Sequence, residues 1–71
     1  MPVISMEGGK LTVEQKRALI QRFTETASEV THIPKQFFVV TIKEMDDDNL
    51  GMGGDTVTDI KAKRAQAQQG H

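Results

Sequence analysis

The sequence predicts an α/β fold: one β-α-β subunit with parallel strands, a long helix and a short C-terminal hairpin, completed by oligomerisation. Three observations predict it. A strand-like run, a long helical periodicity and a second strand-like run follow one another in that order. Such a unit favours a parallel pair with a right-handed crossover. The chain has 71 residues and no cysteine, so it is one domain without disulfides or thiolate metal sites. A chain this short seldom buries enough apolar surface alone. The second strand-like run is apolar on both faces, which leaves other copies of the chain to cover one of them.

The first element is "PVISM", a short run with β-branched residues that ends at the turn signal "EGGK". Thr12 then reads as a helix N-cap, with Gln15 placed to complete a capping box. From Val13 to about Thr31, the residues Val13, Leu19, Ile20, Phe23, Ala27 and Val30 recur at helical spacing. "HIP" stops the helix, because Pro34 disfavours the α region for Ile33. "QFFVVTIKEM" is the strongest strand signal, with aromatic and β-branched residues in one run. Phe38, Val40 and Ile42 share one face of it; Phe37, Val39, Thr41 and Lys43 share the other. "DDDNLGMGGD" is turn-rich and holds the hairpin. The remainder is polar, so the domain is expected over residues 1–62 and a flexible tail over residues 63–71.

Charge and composition narrow the partners. A net charge of −1 offers no bulk attraction to nucleic acid or acidic membranes. No apolar run is long enough for a signal peptide or a membrane span, so a cytoplasmic location is expected. His32 and His71 are not at a metal-ligand spacing. No metal or cofactor is expected. His32 near the helix end favours the helix dipole when charged.

Pro2 is the residue with chemical promise. Proline has no N–H to give to a sheet. If Met1 is removed, however, Pro2 becomes a free secondary amine, a base that no internal residue can provide. "MPV" at the start, the Glu14-Gln15-Lys16 helix start, "EM" ending the second strand and "NLGMGGD" beyond it together resemble the 4-oxalocrotonate tautomerase family. The resemblance covers roughly residues 2 to 60. It implies a β-α-β subunit, a homohexamer built as a trimer of dimers, and the amino-terminal proline as general base. The expected function is keto–enol or 1,3-proton transfer on a small enol or keto acid. That chemistry needs a base that is neutral near pH 7 and still strong enough to take a proton alpha to a carbonyl. An α-amine titrates at roughly 7.7–8.0, and apolar surroundings lower that value by disfavouring the ammonium form.

The chain departs from the family pattern at three positions. Lys10 stands near the place of an arginine that binds a substrate carboxylate, Val39 where a second arginine belongs, and Leu50 where an aromatic residue precedes the glycine-rich turn. Lysine is a point charge, not a bidentate fork, so a dicarboxylate substrate is disfavoured. Lys10 either holds one carboxylate or is a solvated turn residue. Val39 and Leu50 either line an apolar substrate pocket or pack between subunits. Two other functions stay open. One is a hydratase, dehalogenase or decarboxylase of the same superfamily, with Glu7 or Glu44 activating water. The other is a non-catalytic oligomeric binding protein.

Two further motifs fail. The run from Asp46 to Gly51 is no calcium loop, because Leu50 occupies a ligand position and Val57 the place of the bidentate glutamate. "GMGGD" lacks the third glycine of a dinucleotide loop. Gly51, Gly53 and Gly54 are instead expected at positive φ or at a close approach between chains.

Overall fold

A computed structural model describes residues 1–69. Strand β1 (Val3–Gly8) is followed by helix α1 (Val13–Thr31), strand β2 (Val39–Glu44), a hairpin of β3 (Gly51–Met52) and β4 (Asp55–Thr56), and helix α2 (Val57–Gln69). β1 and β2 pair in parallel, with Val3 opposite Val39 and Gly8 opposite Glu44. β3 and β4 pair antiparallel. The expected β-α-β unit and hairpin are both present.

The capping box forms as read. The Gln15 N–H donates to Thr12 Oγ1 at 3.1 Å, and the Thr12 N–H donates to Gln15 Oε1 at 2.9 Å, which satisfies two otherwise orphaned donors. At the other end His32 adopts φ 61° and donates its N–H to the Ser28 carbonyl at 2.9 Å. This is a left-handed cap of the kind usually given to glycine. Leu19, Phe23 and Ala27 are half-buried, but Val13, Ile20 and Val30 are exposed. The expected single apolar face is therefore only partly covered. Two strands lie only about 4.8 Å apart, and a sheet that narrow cannot cover the whole apolar stripe of a helix.

The second strand starts later than its apolar run suggests. Lys35–Phe37 forms a 3-10 turn, in which the Phe37 N–H reaches the Pro34 carbonyl and the Phe38 N–H that of Lys35, each at 3.1 Å. β-propensity in "QFF" gives way to the tight turn that redirects the chain after Pro34. Phe38, Val40 and Ile42 are half-buried, as are Ile4 and Met6 beside them. The opposite sheet face divides along its length. Val3 and Val39 make its Pro2 end apolar, whereas Thr41 Oγ1 donates to Ser5 Oγ at 2.9 Å and Lys43 faces Glu7 at 4.0 Å farther along. The expectation of a mainly apolar second face thus holds only at one end.

Gly53 and Gly54, at φ 62° and 92°, make the hairpin turn, a conformation L side chains rarely adopt. A Cβ at Gly51 would lie 3.4 Å from the Asp55 carbonyl oxygen. Its close approach is thus within the hairpin. Helix α2 is an addition to the sequence reading. It continues past Lys63, where a tail was expected to start; the last two residues of that expected tail, 70 and 71, lie outside the described residues. Thr56 starts α2 by accepting the Asp59 N–H at 3.1 Å. The Thr56-x-x-Asp59 spacing was the available signal. No apolar stripe accompanied it.

Among the described residues none is fully buried. The accessible surface is 5713 Å², against about 4,400 Å² for a compact monomer of this mass. The radius of gyration is 16.8 Å, against about 11 Å for a globule of this length. Such a chain lacks a core of its own. Among the described residues no helix is long and apolar enough to cross a membrane.

Candidate active site

Pro2 sits half-buried at the head of β1, and its carbonyl accepts the Val39 N–H at 3.0 Å. This bond needs only the acceptor of Pro2, so the missing donor costs the sheet nothing. It also fixes the residue beside Val3, Val39 and the start of β2. Pro2 and Val39 are therefore neighbours in one chain.

Lys10 and Leu50 are not their neighbours. Both follow the far ends of the paired strands, and β1 and β2 are six residues each, or about 20 Å long at ~3.3 Å per residue. Lys10 Nζ lies 3.1 Å from Asp46 Oδ1. The two line an open cleft of about 390 Å³ with Met45, Asp47, Asp48, Thr58 and Lys61. Asp47 pairs with Lys61 at 2.8 Å, and Asp48 accepts a hydrogen bond from the Thr58 hydroxyl. The half-buried Leu50 accepts the Val57 N–H on its carbonyl at 2.8 Å, which ties the hairpin to α2. Its side chain does not line the cleft.

Glu44 organises the loop that carries Lys10. One carboxylate oxygen accepts the Leu11 N–H at 2.9 Å, and the other accepts from Lys16 Nζ at 3.0 Å. The end of β2 is thereby joined to the β1–α1 loop and the first turn of α1. Glu7 pairs across the strands with Lys43. Both glutamates lie toward the strand ends remote from Pro2, so within one chain neither can activate water beside it. The sequence reading missed the ties from Asp46 and Glu44, because both bridge segments far apart in sequence.

Known proteins place the chain in a family. The sequence profile described as "Tautomerase enzyme" matches residues 3–60. The chain belongs to the tautomerase family. A probable tautomerase of Helicobacter pylori is 36% identical over 67 residues, covering 89% of this chain and 98% of that protein. A probable tautomerase of Campylobacter jejuni is 34% identical over 68 residues, covering 93% and 100%. The crystal structure of an apo, unfused 4-OT superposes with a TM-score of 0.79 at 40% identity, over 83% of this chain and 98% of that one. This tautomerase-family chain is accordingly an enzyme of the isomerase class.

The Glu44 tie gives this tautomerase-family subunit a defined acid response. The Leu11 N–H, and next the Lys16 ammonium, hold the Glu44 carboxyl below its ordinary value of 4.5. A carboxylate with a lowered folded-state pKa stabilises the fold above its unfolded value and loses that contribution as pH falls through the folded one. Glu44→Gln is therefore expected to flatten the fall in Tm between about pH 5 and pH 3. Parallel melting curves for the two proteins would show that the tie does not stabilise the fold.

Proposed function

We propose that the chain catalyses keto–enol tautomerisation, or a related 1,3-proton transfer, on an unsaturated or enolic keto acid. Pro2, freed by removal of Met1, is the general base. Its neutral nitrogen takes a proton from the enol oxygen or the acidic carbon, and the resulting ammonium returns a proton to the other end of the conjugated system. No proton is gained or lost overall. The observation that carries this reading is the position of Pro2: half-buried, locked to Val39, and at the apolar end of the exposed sheet face. Apolar neighbours disfavour the ammonium form and keep the base neutral near pH 7. No cofactor takes part.

The oligomer completes the site. Because Lys10 and Pro2 lie at opposite ends of the sheet, a substrate that touches both must bind between chains. A homohexamer, a trimer of dimers, in the cytoplasm is the assembly we propose. Residues 1–62 form the catalytic domain, and Lys10 of one copy holds a substrate carboxylate near Pro2 of another. Val39 and Leu50 supply apolar walls. With one lysine in place of two guanidinium forks, a monocarboxylate is preferred over a dicarboxylate. Glu7 is paired with Lys43, and Glu44 with the Leu11 N–H and Lys16, which gives no support to a water-adding reaction.

A panel of enols tests the reading. Tautomerisation is expected for carboxylate-bearing members, with Lys10→Ala raising KM several-fold for them and little for uncharged enols. An exposed charge–charge contact of this kind is worth up to about 1 kcal/mol. An equal effect on both classes would remove Lys10 from substrate binding. No turnover of any enol would favour the binding-protein alternative.

A further inference from the structure

We propose that Asp46 sets the charge selectivity of the site by holding the Lys10 ammonium and competing with the substrate carboxylate for it. This rests on the reading of Lys10 as the carboxylate anchor. Asp46 Oδ1 is 3.1 Å from Lys10 Nζ. The other two aspartates of the cleft are otherwise engaged, Asp47 by Lys61 and Asp48 by Thr58. Asp46 precedes the 3-10 turn Asp47–Asn49, yet its side chain makes no capping bond there. Its carboxylate is therefore directed to Lys10 alone among the described contacts.

The pair is built to open. Lys10 and Asp46 side chains are 76% and 63% exposed, so water replaces either partner at small cost. A substrate carboxylate need only exchange with the Asp46 carboxylate. A second carboxylate on the substrate meets a different field. Three aspartates face two lysines in the cleft, which leaves it with a net charge of −1. Like charges within a Debye length of about 8 Å repel it. Asp46 thus tempers the pull of Lys10 on one carboxylate, and the net negative cleft discriminates against two. The substrate class is a monoanionic enol or keto acid whose remaining groups are uncharged.

Steady-state kinetics on a monocarboxylate, a dicarboxylate and an uncharged enol test this. Wild type, Asp46→Asn, Asp46→Glu and Lys10→Ala are compared, together with the Asp46→Asn/Lys10→Ala double variant. Asp46→Asn is expected to lower KM about two- to fivefold for the monocarboxylate, the range exposed ion pairs support. The dicarboxylate should gain more, the uncharged enol nothing, and kcat should stay constant. Asp46→Glu should restore wild-type selectivity. The Asn effect should vanish on the Lys10→Ala background and shrink at high salt. Unchanged carboxylate KM in Asp46→Asn, with Lys10→Ala still raising it, overturns the role of Asp46 and leaves the Lys10 anchor standing. An equal KM change for the uncharged enol also overturns it, since a merely structural role moves all substrates together. If Lys10→Ala has no selective effect, the anchor fails and this inference fails with it.

Discussion

Acylation of the Pro2 nitrogen, or retention of Met1, is expected to lower kcat/KM for enol substrates by about 10²–10⁴-fold, the range a well-placed general base supplies. In either form the nitrogen is an amide whose lone pair is delocalised. It cannot accept the proton. The subunit should fold unchanged, because the bond that anchors Pro2 to the sheet runs through its carbonyl and the Val39 N–H, neither of which is altered. Pro2→Ala, once Met1 is removed, leaves a primary amine without the ring and should keep a fraction of the activity. The pH profile of kcat/KM should rise as the amine loses its proton, and that limb should be absent from the acylated protein. The N-terminal mass must be measured on the same sample. Undiminished tautomerisation by protein proven to keep Met1 would remove Pro2 from the mechanism.

Phe37→Asp is expected to break the assembly. Phe37, in the 3-10 turn that leads into β2, is 52% exposed, and Val3, at the head of β1, is 58% exposed. Loss of an aromatic that anchors an interface costs about 2 kcal/mol, roughly thirtyfold in association for each contact, and symmetry repeats the loss at every equivalent contact. Wild-type protein should sediment as a single species several times its 7.9 kDa chain mass, with a melting temperature that rises with concentration. The variant should dissociate and lose activity together with it, since the proposed site spans two chains. A wild-type chain that stays folded and monomeric at micromolar concentration would defeat both the assembly and the shared site.

Much of the fold was legible because its signals are local. Thr12 and Gln15 lie three residues apart and cap each other. Pro34 acts on its own neighbours, and Gly53 and Gly54 take the positive φ that a tight hairpin turn demands. The start of β2 was misplaced because the apolar residues of "QFF" look the same to propensity in a 3-10 turn and in a strand. Helix α2 was missed because its polar residues carry no apolar period, and its signal reduced to Thr56 before Asp59.

The sequence by itself determined the order of elements from β1 to the hairpin, the expectation of partner chains and the presence of Pro2 at the second position. These follow from side-chain type, spacing and chain length. Only the tertiary structure decided which residues meet. It placed Val39 against Pro2 and carried Lys10 and Leu50 to the opposite end of the sheet. It spent Glu44 on the Leu11 N–H and Lys16, and set Asp46 against Lys10. The physical reason is register. Pairing Val3 with Val39 in parallel fixes every other neighbour across the two strands, and the loops beyond them bring together charges 28 to 36 residues apart.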